Sequence, residues 1–137
     1  MPVGDHRIRA SMTKRKKLRL EFEVKASPTM LYNYISSASG LSEWFADDVD
    51  LYNNTYKFKW DNDEQVAEVV KKVPNRLIKF RWMEGPADEY FEFEIIQDEL
   101  TDDVALVITD FVDIADERNA SQLWDSQVHE LKKNIGA

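Results

Sequence analysis

Residues 18–49 read LRLEFEVKASPTMLYNYISSASGLSEWFADDV, and this stretch decides the fold. Its first eight residues alternate without a fault. Leu18, Leu20, Phe22 and Val24 point one way; Arg19, Glu21, Glu23 and Lys25 point the other. Period-two alternation gives one apolar and one charged face, the signature of a half-buried antiparallel strand. Ser27-Pro28 follows as an N-cap with proline at the first helical position. The helix PTMLYNYISS carries Met30, Leu31, Tyr34 and Ile35 on one face, Gly40 stops it, and LSEWFA forms a second short helix. Trp44 and Phe45 stand side by side in that second helix. A lone surface helix gains nothing by exposing such a pair, so the sequence predicts that it covers one end of an apolar interior.

The rest of the chain supplies the sheet and its cover. Tyr56, Phe58 and Trp60 alternate with Lys57 and Lys59, and Asp61–Glu64 is a hairpin turn. A strand over Val66–Val73 leads into the Pro74-Asn75 turn. Leu77–Met83 puts Ile78, Phe80 and Trp82 on one face, and Tyr90–Ile96 puts Phe91, Phe93 and Ile95 inward. Val104–Asp113 is the last strand. It is apolar on both faces, so parity leaves open which way Asp110 points. In the C-terminal segment Ala120, Leu123, Trp124, Gln127, Val128, Leu131 and Ile135 recur at helical spacing. Acids at its start and lysines near its end suit the helix dipole. The expected fold is α+β: a curved antiparallel sheet of about six strands on a long C-terminal helix, with two short helices after the first strand.

This order of elements resembles the START-like superfamily with the helix-grip fold, which includes polyketide-cyclase-like and lipid-transfer proteins. Within it the chain is most similar to the small bacterial domains related to the activator of the heat-shock chaperone ATPase. The matching residues are ASPTMLYNYISSASGLSEWFADDV (26–49) and the closing LWDSQVHELKKNIGA (123–137). The resemblance implies a cavity between sheet and long helix, used on this scaffold to hold lipids, sterols or polyketides. In the co-chaperone branch it implies partner binding through the surface instead.

Bulk properties narrow the function. The chain has 137 residues, 43% of them hydrophobic, enough for one domain with a core of its own. Net charge is −8, but seven of the 18 basic residues fall in residues 1–19, leaving 25 acids against 11 bases from Leu20 onward. Such a body repels phosphate backbones, so no nucleic-acid partner is expected. Residues 1–12 read as an added leader or a basic arm ahead of a single START-like domain over 13–137. The absence of cysteine excludes thiol chemistry and thiolate metal sites and fits a reducing cytoplasm. No stretch approaches the roughly 20 apolar residues of a membrane span.

Chemistry-bearing motifs are sparse. Of two histidines, His6 lies in the leader and His129 on the polar side of the last helix, so no metal site is expected, and no cofactor. Asp61–Glu64 lacks the glycine and distal glutamate of a calcium loop. Four glycines cannot build a phosphate-cradling loop. Asp47 and Asp48 read as solvated turn acids. Asp110 gains interest only if it faces inward, as the acid of a cyclase or hydrolase.

The aromatic residues carry the functional signal. Trp44, Phe45, Tyr56, Phe58, Trp60, Phe80, Trp82, Phe91, Phe93 and Trp124, with Asp110, are the expected ligand-contacting set. Read as plain core, the same rings need no ligand at all. The leading expectation is a non-enzymatic binder of a small hydrophobic or amphipathic molecule, lipid-like or polyketide-like. The alternative is a protein-interaction module acting through its acidic surface, with the chain a monomer or homodimer.

Overall fold

A computed structural model describes residues 14–136. The segment 1–12, read above as a leader or basic arm, lies outside the described residues. The elements are β1 (Arg15–Glu23), α1 (Pro28–Ser36), α2 (Ala38–Trp44), β2 (Asp48–Tyr52), β3 (Thr55–Trp60), β4 (Asp63–Val73), β5 (Leu77–Trp82), β6 (Phe91–Gln97), β7 (Val104–Asp113), a 3-10 turn (Ile114–Asp116) and α3 (Glu117–Ile135). The strands form one antiparallel sheet in the order β1-β7-β6-β5-β4-β3-β2. The α+β class, the long C-terminal helix and the two short helices agree with the sequence reading.

Among the described residues the sheet has seven strands, against the expected six or so, because Asp48–Tyr52 forms an edge strand of its own. Its sequence DVDLY buries only Val49, so it lacks the alternation that marks its neighbours. A two-residue connection through Asn53, which holds a positive φ of 58°, joins it to β3. Asparagine tolerates that left-handed backbone better than most residues.

Consecutive strands β1 and β2 lie at opposite edges, so α1 and α2 carry the chain across the sheet. Local chemistry fixes both helices. Ser27 Oγ accepts from the Met30 amide at 3.1 Å, with Pro28 opening α1. Ser37 Oγ accepts from the Gly40 amide at 2.9 Å and so caps α2. Gly40 is required where the two helices meet. A β-carbon there would lie 2.3 Å from the Asn33 oxygen and 2.7 Å from the Tyr34 Cα. Gly136, at φ 84°, ends α3 with its amide on the Lys132 and Lys133 oxygens.

Register settles the last strand. Leu18 faces Asp110, Leu20 faces Ile108, and Phe22 faces Leu106, so Leu106, Ile108 and Asp110 share the inner face with β1's apolar residues. Val107, on the other face, is only 1% exposed. Both faces of β7 are therefore covered, which is why its parity could not be read.

Candidate functional site

Alternation on β3, β5 and β6 aims Tyr56, Phe58, Trp60, Phe80, Trp82, Phe91 and Phe93 at the helices. The end of α2 adds Trp44, its C-cap adds Phe45, and α3 adds Trp124. None of these ten residues is more than 5% exposed. They pack on one another. Phe45 is central: its ring centroid lies 5.0 Å from Phe58, 5.6 Å from Trp60, 5.7 Å from Phe91 and Phe93, and 5.8 Å from Trp124. Phe91 stacks on both Phe80 and Trp82 at 4.7 Å. Offset and edge-to-face geometries of this kind add to simple burial.

The indoles of Trp44, Trp60 and Trp124 are pinned through their N–H groups. Trp44 donates to the Tyr34 oxygen and Trp60 to the Phe45 oxygen, each at 2.8 Å. Trp124 donates to Asp110 Oδ2 at 3.1 Å, while the Phe111 amide donates to Oδ1 at 2.9 Å. Asp110 thus faces inward, 2% exposed, and both of its carboxylate oxygens accept. That arrangement links the last strand to α3 across the core.

The Phe45 carbonyl gathers three elements. It accepts from Trp60 on β3 and, at 3.0 Å, from Gln127 Nε2 on α3. Beside this junction the surface opens into a pocket of about 460 Å3 between α2, the end of β3, and α3. Trp44, Phe45 and Trp60, with Ala46 and Leu123, form its apolar part. Glu43, Asp47, Gln127 and Glu130 supply most of its polar lining. Gln127 is 9% exposed, and its Oε1 has no hydrogen-bond partner. Asn134 ties the two helices together here, donating from Nδ2 to the Glu43 and Glu130 main-chain oxygens at 3.2 and 2.9 Å.

Sequence reading picked out the three rings that reach this pocket but missed its polar half. Gln127 did leave a signal, as the one amide on the otherwise apolar stripe of α3. Glu43 and Glu130 left none, because acids are plentiful and these two converge only through the fold. Among the described residues no group of three His, Asp or Glu side chains could hold a metal ion, and no helix is long and apolar enough to cross a membrane.

A curved antiparallel sheet closed on a C-terminal helix, with a pair of short helices after the first strand, defines a helix-grip domain. The family model for the START-like superfamily domain matches residues 12–137, and the chain belongs to that superfamily. Among solved structures it is similar to BfR322 from Bacteroides fragilis, at 31% identity over 90% of this chain and 92% of that one, with a TM-score of 0.63. The Aha1 dimer from Colwellia psychrerythraea matches at 18% identity over 88% and 96%, with a TM-score of 0.74. MLL2253 from Mesorhizobium loti matches at 15% over 86% and 95%, with a TM-score of 0.70. At these last two identities the likeness is one of fold. None of the curated proteins matches.

Proposed function

We propose that the domain binds a small amphipathic molecule, seated in the pocket between α2, β3 and α3. The observation that carries this reading is that pocket: about 460 Å3, with Trp44, Phe45 and Trp60 on its apolar side and Glu43, Asp47, Gln127 and Glu130 on its polar side. A concavity that sets apolar side chains against convergent polar groups suits a molecule with an apolar and a polar end. The remaining expected contacts, Tyr56, Phe58, Phe80, Trp82, Phe91, Phe93, Asp110 and Trp124, then act from behind. They hold the three pocket rings in place rather than touching the guest.

The test is mass spectrometry of small molecules extracted from natively purified protein, with 15N spectra recorded before and after extraction. A co-purifying amphipathic molecule whose removal shifts the Trp44 and Trp60 indole N–H signals supports the reading. No bound molecule, together with indole signals unmoved by added amphiphiles, overturns it.

A second reading, an interaction module or homodimer, is favoured by a different observation. Edge strand β2 exposes Leu51 at 45% and Tyr52 at 74%, and an edge strand with exposed apolar side chains invites a partner. The relative from Colwellia psychrerythraea is a dimer. Light scattering of wild type and Tyr52→Lys over a concentration series tests this reading, with a dimer weakened by the lysine as the expected result.

A further inference from the structure

We infer that the pocket between α2, β3 and α3 selects guests carrying a cationic nitrogen, alkylammonium-like amphiphiles in particular; this rests on the pocket reading above. Its lining holds Glu43, Asp47 and Glu130, and no lysine, arginine or histidine. Among the described residues the one cation paired with these carboxylates is Lys133, 3.6 Å from Glu130 with both side chains more than half exposed, a geometry that screens strongly. Asp47 Oδ2 accepts from the Asp61 amide at 2.9 Å, which fixes its position without neutralising its charge. The mouth therefore presents a negative field to an approaching guest.

The second observation is independent of those acids. Gln127 is nine-tenths buried, bonded through Nε2 to the Phe45 oxygen, and its Oε1 has no donor. The amide cannot be reversed to cure this. Reversal would set Oε1 against the Phe45 oxygen, acceptor facing acceptor. Gln127, which lines the pocket, is thus short of a donor, not of an acceptor. A terminal amide torsion is broad, and the proposal has this amide turn to offer Oε1 to the seated group. An ammonium offers three donors, an alcohol one and a carboxylate none. The apolar side suits the same guest. Trp44 and Trp60 are locked by their own N–H bonds, and the little surface they leave exposed gives an alkyl chain an apolar contact.

The experiment titrates the full 15N-labelled chain with three probes of equal chain length: hexylammonium, 1-hexanol and hexanoate. The Trp44 and Trp60 indole signals and the Gln127 side-chain amide are followed. Hexylammonium is expected to bind at least tenfold tighter than hexanol, with hexanoate weakest, and to shift the Gln127 amide. The preference should fall below threefold in the Glu43→Gln/Glu130→Gln double variant, whose altered side chains lie on exposed positions. It should fall similarly in Gln127→Met, which keeps length and removes the acceptor. Equal binding of hexylammonium and hexanol overturns the inference and leaves the pocket reading standing. Hexylammonium shifts confined to other acidic surfaces also overturn it. If none of the probes moves either indole, the pocket reading falls with it.

Discussion

The Tyr56 hydroxyl donates to the main-chain oxygen of Ser36 at 2.5 Å, joining β3 to the last turn of α1 beneath the core. Ser36 Oγ in turn donates to the Tyr32 oxygen at 2.6 Å. Tyr56→Phe removes one buried bond and leaves the Ser36 oxygen unpaired, which should cost about 1 kcal/mol in a denaturant titration.

The same phenol sets an alkaline limit. Burial, with a smaller contribution from the neighbouring Tyr32, pushes its pKa up to about 12. The unfolded value is near 10. A group whose folded pKa is raised stabilises fully below the unfolded value and loses that contribution as pH climbs through the folded one. Stability should therefore fall between about pH 10 and pH 12, and the fall should be shallower in Tyr56→Phe. Unfolding curves across that window, paired with phenolate absorbance, check both statements.

Phe45 touches four rings from the two strands β3 and β6 and one from α3, so truncation leaves a void that no single neighbour can fill. Phe45→Ala should destabilise by about 3–5 kcal/mol, and Phe45→Leu by clearly less. Equal losses for the two would mean that volume at the junction is not what matters.

Gly40→Ala tests the seam of the two short helices. The added methyl would meet main-chain atoms of Asn33 and Tyr34, which cannot swing aside as a flexible side chain could. The expected loss is about 1–3 kcal/mol. Amide exchange should quicken in α1 and α2 before it does in the sheet.

Arg15 bonds Glu89 through Nε and Nη2 at 3.0 and 2.7 Å, and Asp113 through Nη1 at 2.7 Å. These two acids hold its pKa above the ordinary arginine value. Arg15→Ala should cost about 2 kcal/mol. Arg15→Lys should recover only part of it, since an ammonium lacks the planar fork. Melting the three proteins in parallel decides the order.

How much of this was legible depends on how each strand meets its surroundings. β1, β3, β5 and β6 have one face on the core and one toward water, so period two survives in their sequences. Asp48–Tyr52 is an edge with a single inward residue, and the pattern vanishes. β7 is covered on both sides, so Asp110 could not be oriented without its partner Leu18. The pocket's rings were visible as a set, yet Gln127 meets Phe45 across 82 positions of sequence, and no local spacing encodes such a meeting.

The first strand lies against the last one, with Arg15 opposite Asp113, 98 residues away. Every rung of that outer ladder closes a loop of roughly domain length, whose entropic cost must be met before any of its bonds can form. During synthesis the opening segment has nowhere to dock until nearly the whole chain has left the ribosome. Its backbone groups must wait, shielded by little more than their charged side chains, for the final neighbour to arrive.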